Sequence, residues 1–237
     1  MMVRAVFFDL FETLITEFAN GKRVSKRSYD YMNRIGLSEA EFKREWSIRF
    51  EQRMNGHFPN YHAAIRDILD ARGLPYHQEH VEFLFQSRVG EKKIPFNTIS
   101  NEICRMLELL RERGLKVGLI SNCSEEEVIS FGQSGLAPYF DDVIFSYEVG
   151  VAKPNPEIYR MACERLCVTP QESLFIGDGG SDELRGAGNA GLRPYHAYWF
   201  NTFIESEHEK IHQPLQVLDL IEFSIKKESL NDETAGH

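Results

Sequence analysis

Short apolar runs alternate with amphipathic segments along most of the chain, and this alternation predicts an α/β fold. Ala5 to Phe8 is a continuous apolar run, as expected for a strand buried on both faces of a parallel sheet. Similar runs follow at Lys116 to Ile120, Val143 to Phe145 and Leu174 to Ile176, with a last strand around Pro194 to Ala197. Because helical segments separate these runs, we expect a doubly wound, mostly parallel, Rossmann-like sheet.

The pattern between residues 17 and 98 is helical instead. Its amphipathic segments are separated by glycines and are predicted to be helices: Ser25 to Arg34, Ser38 to Asn55, Asn60 to Arg72 and His77 to Glu91. This part of the chain carries a net charge of +3, whereas the remaining residues carry −12. We therefore predict a Rossmann-like core made of residues 1–16 and 99–237, and an inserted all-helical cap made of residues 17–98.

Composition narrows the class of protein. The net charge of −9 and the lack of a dominant basic run argue against nucleic-acid binding. No apolar stretch approaches the ~20 residues that span a bilayer, and the first strand begins too early to leave room for a signal peptide. The four cysteines fit reduced thiols. We expect a cytoplasmic protein without a membrane partner, either a monomer or a homodimer.

Polar residues stand where the predicted strands end. Asp9, Ser121 and Asp178 each follow or finish an apolar run, and Lys153 lies in a loop before a predicted helix. The carboxyl ends of parallel strands meet at one edge of a sheet, where such folds bind ligands. Two carboxylates there suit Mg²⁺, and one of them can act as a nucleophile. The hydroxyl, the Lys ammonium and the backbone N–H groups after Asp9 would bind a transferring anionic group, so a phosphoryl- or ester-transfer site is predicted.

Four short motifs support this interpretation by resemblance. Asp9-Leu10-Phe11-Glu12-Thr13, Ser121-Asn122, Lys153-Pro154, and Gly177-Asp178 with Asp182-Glu183 resemble, in order and spacing, the motifs of the haloacid dehalogenase superfamily of hydrolases. The helical insert between the first two motifs resembles the helical cap of that superfamily. The resemblance extends over nearly all of the chain.

The resemblance implies catalytic and metal-binding roles. Asp9 is the implied nucleophile and a ligand of Mg²⁺. The backbone carbonyl of Phe11 and the carboxylate of Asp178 complete the share of the metal shell that the protein supplies. Asp182 or Glu183 would orient metal-bound waters or Lys153, and the sequence leaves open which of the two does so.

The resemblance also implies how the substrate is held. Ser121, with Asn122 beside it in the motif, and Lys153 would hold the phosphoryl oxygens. The backbone N–H groups of Leu10 and Phe11 would bind the same group. Thr13 would support the first loop.

One position departs from the phosphatase pattern. Phosphatases of the superfamily usually carry a second aspartate two residues after the nucleophile, and here that position is Phe11. A missing general acid/base costs on the order of 10²–10⁴ in rate. Dehalogenases of the superfamily resemble this chain in having an aromatic residue there, yet they typically lack the acid that Asp178 supplies. Glu12 is the nearest replacement donor, but adjacent residues of an extended segment point to opposite sides.

These observations lead to one preferred function and two alternatives. We favour Mg²⁺-dependent phosphoryl hydrolysis of a small anionic metabolite through an aspartyl intermediate. The reason is that two neighbouring carboxylates at the carboxyl edge of the sheet are costly unless a cation neutralises them. The alternatives are a metal-independent 2-haloacid dehalogenase, and a weakly active or non-catalytic phosphate-binding protein. In the basic cap, Arg49 and Arg53 are predicted to contact the anionic substrate.

Overall fold

A computed structural model describes residues 2–19, 21–25 and 28–221. The strands are β1 Ala5–Phe8, β2 Phe18–Ala19, β3 Lys22–Arg23, β4 Lys116–Ser121, β5 Asp142–Phe145, β6 Ser173–Gly177, β7 Arg193–Ala197 and β8 Lys210–Ile211. Within these residues, six strands form one parallel sheet in the order β5-β4-β1-β6-β7-β8. The predicted doubly wound parallel sheet is confirmed.

The helices of the described residues are α1 Tyr31–Ile35, α2 Glu39–Ile48, α3 Phe50–Met54, α4 Tyr61–Ala71, α5 Gln78–Lys93, α6 Asn101–Glu112, α7 Glu125–Val128, α8 Ser146–Val149, α9 Pro156–Arg165 and α10 Glu183–Ala190. Three of them, α6, α9 and α10, cover the two faces of the sheet. The apolar face of α6 packs on one side of β1 and β4, whereas α9 and α10 pack on the other. The central strands are buried on both sides, which explains their unbroken apolar runs.

The helices α1 to α5 have an apolar core of their own. Stacked aromatic rings form much of it, with Tyr31 and Phe42 at a centroid distance of 4.0 Å. Ser38 starts α2 through a capping box, and the side chain of Asn60 accepts from the N–H of Ala63 at the start of α4. The division at residues 16/17 and 98/99 stays a prediction, and residues 222–237 lie outside the described part of the chain.

The cap segment differs from the prediction in two respects. It is not all-helical, because β2 and β3 form a short antiparallel pair. A hydrogen bond from the N–H of Val24 to the carbonyl of Glu17 extends this pair. The first helix accordingly begins at Tyr31 and not at Ser25. The predicted helix from Ser38 to Asn55 is divided at Arg49, where φ is −91° and ψ is 12°.

Among the described residues, no helix combines the length and the apolar character that crossing a bilayer requires. The cytoplasmic location and the assembly state stay predictions.

Candidate active site

Three neighbouring strands bring the predicted strand-end residues to one edge of the sheet. Asp9 directly follows β1, Ser121 ends β4 and Asp178 directly follows β6. The order of the sheet places β1 between the other two strands, with Phe8 level with both Leu119 and Ile176. All three strand-end side chains are buried. Residues that are more than one hundred positions apart in the sequence therefore converge as the parallel topology predicts.

Lys153 joins this group from the loop between α8 and α9. The side chain of Asn122 holds its backbone on both sides: the amide of Asn122 donates to the carbonyl of Lys153, and its Oδ1 accepts from the N–H of Lys153, each at 2.8 Å. The buried ammonium of Lys153 donates to Oδ1 of Asp9 and, at 2.5 Å, to Oε2 of Glu183. Asn122 therefore positions the lysine that pairs with Asp9.

The geometry separates the two acids that the sequence left open. Glu183 is buried at the start of α10, and its Oε1 accepts from the N–H of Gly179 at 3.1 Å. Asp182 points to solvent, where it forms an ion pair with Arg185 at 3.5 Å. A methyl group at Gly177 would overlap the carboxyl of Glu183, so the glycine of this motif makes room for that side chain. Glu183, not Asp182, contacts Lys153.

Two buried hydroxyls of the motifs face no hydrogen-bond partner among the described residues. They are Oγ1 of Thr13 and Oγ of Ser121, both in fully buried side chains. A buried hydroxyl without a hydrogen-bond partner costs free energy, so such a group in a native site is expected to bind a polar ligand or water. The two hydroxyls therefore fit the oxygens of a phosphoryl group beside Asp9. Binding of that group by the backbone N–H groups of Leu10 and Phe11 stays a prediction.

The acids outnumber the cation at this edge. Asp9, Asp178 and Glu183 each place a carboxylate oxygen within 4.8 Å of the others. Burial raises the pKa of the Asp9 carboxyl, and the charge of Asp178 adds to this effect while Lys153 opposes it. Burial likewise raises the pKa of Glu183. Although burial alone would lower it, the pKa of Lys153 is raised by Asp9 and Glu183.

This charge balance and donor set fit a divalent cation. If all three carboxylates are ionised, one ammonium leaves two negative charges uncompensated among the described residues of the site, a balance that a divalent cation would restore. Carboxylate oxygens are the ligands that Mg²⁺ prefers. The oxygens of Glu183 are already held by Lys153 and Gly179, whereas those of Asp178 accept only from neutral amides. Asp9 and Asp178 are therefore the carboxylates best suited to hold the ion, and the carbonyl of Phe11 stays a predicted ligand.

Asn201 is a site residue that the sequence did not reveal. It lies in the loop after β7, and its side-chain amide donates to Oδ2 of Asp178 at 2.8 Å, while the N–H of Gly180 donates to Oδ1 at 2.9 Å. The two bonds fix the orientation of the Asp178 carboxylate. An asparagine in a loop outside every motif carries no sequence signal of such a contact.

The first motif directs Phe11 and Glu12 to different places. The ammonium of Lys92, from α5, lies 4.5 Å from the centroid of the Phe11 ring. Glu12 has φ of 58°, and its carboxyl accepts from the hydroxyl of Thr16 at 2.6 Å and from the N–H of Glu17 at 2.9 Å. Both oxygens of Glu12 are thus engaged with the loop that leads into the cap. These contacts do not favour Glu12 as a replacement proton donor.

The two cap arginines have surroundings of different kinds. Arg49 is buried, and its guanidinium donates to Oδ2 of Asp67 at 2.6 Å and to Oε2 of Glu45 at 2.8 Å. These contacts tie α2 to α4 and favour a structural role. Arg53 is also buried, and its guanidinium carbon lies 3.9 Å from the centroid of the Trp46 ring. Substrate contact stays a prediction for both arginines.

A cleft of about 500 Å³ lies between α3 of the cap and the loop that carries Lys153. From the cap it is lined by Phe50, Glu51, Met54 and Asn55. From the core it is lined by Asn122, Ser181 and residues 150–155. Because Asn122 and Lys153 belong both to the cleft and to the motif cluster, the cleft adjoins the site.

Curated relatives of this chain include proteins named as phosphatases. This chain is 28% identical over 204 residues to the glyceraldehyde 3-phosphate phosphatase of Methanopyrus kandleri, and the match covers 81% of this chain and 82% of that protein. It is 35% identical over 116 residues to the phosphoserine phosphatase of Thermus thermophilus, covering 47% of this chain and 44% of that protein. The relatives therefore favour a phosphatase over a dehalogenase.

Solved structures and a family model agree on the fold. A 2-haloacid dehalogenase from Pseudomonas syringae has a TM-score of 0.69 at 20% identity, covering 93% of this chain and 98% of that one. A HAD phosphatase from Thermococcus onnurineus has a TM-score of 0.58 at 19% identity, covering 92% and 98%. The family model for haloacid dehalogenase-like hydrolases matches residues 3–191. The chain belongs to the haloacid dehalogenase-like hydrolases.

Proposed function

We propose that this hydrolase is a Mg²⁺-dependent phosphatase that acts on a small phosphorylated metabolite through an aspartyl intermediate on Asp9. The observation that carries the proposal is the excess of buried negative charge, because Asp9, Asp178 and Glu183 surround the ammonium of Lys153. A divalent cation offsets that excess. The phosphatase names of the curated relatives support the same reaction class.

The reaction begins with the carboxylate of Asp9. One of its oxygens attacks phosphorus, a new O–P bond forms, and the bond from phosphorus to the leaving oxygen breaks. Lys153 and the hydroxyl of Ser121 bind the negative phosphoryl oxygens while this happens. Mg²⁺ held by Asp9 and Asp178 would neutralise charge on the transferring group. Water then attacks phosphorus, and its O–P bond forms as the bond between phosphorus and the Asp9 oxygen breaks. Inorganic phosphate leaves with both protons of the water, and the carboxylate of Asp9 is restored.

Phe11 restricts which leaving groups suit this site. It stands where a second aspartate would protonate the departing oxygen, and the carboxyl of Glu12 is engaged by Thr16 and Glu17. A leaving group that departs without a proton avoids this deficit. We therefore propose acyl and aryl phosphates as the better substrates, and simple alkyl phosphates as poor ones.

The aromatic residue at position 11 favours a second candidate, a metal-independent 2-haloacid dehalogenase. In that reaction Asp9 displaces halide from carbon, and halide needs no proton. The presence of Asp178 argues against it, because a second buried carboxylate close to Asp9 opposes the ionised nucleophile that the displacement requires. A phosphate-binding protein with little turnover is the third possibility, and it predicts no dependence on the nucleophile.

One assay separates these functions. Purified protein is incubated with acetyl phosphate, 4-nitrophenyl phosphate or 2-chloropropionate, with Mg²⁺ or with EDTA, and both phosphate and halide are measured. The proposal expects release of phosphate that requires Mg²⁺ and is lost in Asp9→Asn. Halide release in EDTA would refute it in favour of the dehalogenase. Absence of both products, with Asp9→Asn indistinguishable from the wild type, would support the binding protein.

A further inference from the structure

The cleft beside Lys153 provides a surface for the organic part of a substrate. Phe50 and Met54 give it an apolar wall on the cap side, and Glu51 and Asn55 give it polar groups. Phe50 is 45% exposed, and its ring lies 5.8 Å from the guanidinium carbon of Arg53. The cleft is large enough for a small organic group attached to a phosphoryl group at the motif cluster.

The buried cations of the cap do not line this cleft. Arg88 donates to Oε1 of Glu127 at 2.8 Å and to Oε1 of Glu126 at 3.3 Å. Lys92 pairs with Oε1 of Glu127 at 2.8 Å and with Oε1 of Glu17 at 3.1 Å. Arg49 is held inside the cap by Asp67 and Glu45. These three cations are compensated by protein carboxylates, so they offer little attraction to a second anionic group on a substrate. Arg53 has no such ion pair among the described residues, but it lies outside the lining of the cleft.

The side chains that do line the cleft have the opposite charge. Glu51, on α3, is its acidic residue on the cap side, and it is exposed. Lys153 is the basic residue of the lining, and its ammonium is engaged by Asp9 and Glu183. A carboxylate on the organic part of a substrate would therefore meet Glu51 without a free cation from the lining, whereas an ammonium group would be attracted.

We propose that this cleft binds the organic part of the phosphorylated substrate, that this part is uncharged or cationic and not a second anion, and that Glu51 determines the preference. The inference rests on the proposed phosphatase function, and it adds the chemical class of the substrate. It also departs from the expectation that the basic cap would select an anionic group. The phosphoryl group itself remains the anionic end of the substrate, at the motif cluster.

Three aryl phosphates with the same type of leaving oxygen test the preference. They are 4-(aminomethyl)phenyl, 4-methylphenyl and 4-(carboxymethyl)phenyl phosphate, whose distal groups are cationic, neutral and anionic. We expect kcat/KM for the cationic compound to exceed that for the anionic one by about tenfold, as for unlike and like charges that meet near a protein surface. Glu51→Gln should reduce this ratio to about twofold, and Glu51→Lys should invert it. Because a general loss of activity in a variant lowers kcat/KM for both compounds equally, it does not change this ratio.

Glu79→Lys is the matched control, because Glu79 is exposed on the cap at the start of α5 and lies outside the cleft. It makes the same change in net charge and should leave the ratio unaltered. The inference is overturned if the wild type prefers the carboxymethyl compound, or if Glu51→Lys changes the ratio no more than Glu79→Lys does.

Binding measurements keep this test independent of the proposed reaction. The same phosphates are titrated calorimetrically into Asp9→Asn and into Asp9→Asn combined with Glu51→Lys. Absence of Asp9-dependent phosphate release would refute the phosphatase alone. Equal affinity of Asp9→Asn for the cationic and anionic compounds would refute the assignment of the cleft, even where turnover is observed.

Discussion

Replacing Glu127 with glutamine should weaken the contact between cap and core more than the same replacement of its neighbour Glu126. Glu127 lies on α7 of the core, and its Oε1 pairs with the guanidinium of Arg88 and the ammonium of Lys92 from α5, each at 2.8 Å. Its other oxygen accepts from the N–H of Ser124 at 3.2 Å. All four side chains are buried. Glu127→Gln preserves the shape but removes the charge that balances two buried cations.

The expected loss of stability follows from that imbalance. Removing one partner of a buried ion pair costs about 3–5 kcal/mol, and the amide oxygen of glutamine retains part of the hydrogen bonding, so we expect about 3 kcal/mol. For a chain of this size, 1 kcal/mol changes Tm by about 2–4 °C, which gives a decrease of about 6–12 °C. Differential scanning calorimetry measures both quantities. A decrease below about 2 °C at pH 7 would show that the network does not stabilise the fold.

Glu126→Gln is a control in the same network. Burial and the charge of Glu127 raise the pKa of Glu126. Its Oε1 accepts from the hydroxyl of Ser124 at 2.8 Å and from Arg88 at 3.3 Å, which an amide oxygen can also do, so this replacement should cost less. For Glu127, burial alone would raise the pKa, but Lys92, Arg88 and Arg53 outweigh it and hold the pKa well below its usual range. A depressed folded pKa contributes stability above the ordinary value of 4.5 that is lost as the pH falls. The Tm difference between wild type and Glu127→Gln should therefore narrow below about pH 4.5. A difference that widens there would contradict the assignment.

Three further substitutions test the site and the cap. Gly177→Ala introduces a methyl group that overlaps the carboxyl of Glu183, so we expect kcat/KM to fall at least about tenfold, measured on acetyl phosphate. Asn122→Ala removes both hydrogen bonds that hold the backbone of Lys153. We expect kcat to fall about tenfold while circular dichroism shows an intact fold. An unchanged kcat would exclude the positioning role of Asn122. Arg49→Met should lower the free energy of unfolding by about 1–3 kcal/mol with KM altered less than twofold, whereas a large rise in KM would restore Arg49 as a substrate contact.

Much of the fold and of the motif cluster could be predicted because it depends on local patterns and one topological rule. The run from Ala5 to Phe8 is apolar without alternation because both faces of β1 are covered. Parallel strands that are adjacent in the sheet then bring Asp9, Ser121 and Asp178 together whatever their separation in sequence. Lys153 could be placed near them because its loop was expected to lie at the same edge of the sheet.

The remainder depends on contacts that no local pattern encodes. The helix expected from Ser38 onward is divided at Arg49, whose guanidinium is bound by Asp67 from a different helix. Asn201 reaches Asp178 from a loop without a motif. Glu183 is distinguished from Asp182 by the αL conformation of Asp182, which turns one side chain inward and the other outward. Each outcome was decided by tertiary structure.

The two parts of the chain differ in net charge, and part of that difference is compensated where they meet. Arg88 and Lys92 of the cap segment pair with Glu126 and Glu127 of α7, and the ammonium of Lys92 lies close to the ring of Phe11. Substrate contact by Arg49 and Arg53 stays a prediction. The open cleft is left with Glu51 as its acidic residue on the cap side. If the cleft binds the organic part of the substrate as proposed, Glu51 would select by repelling a second anion and not by attracting one.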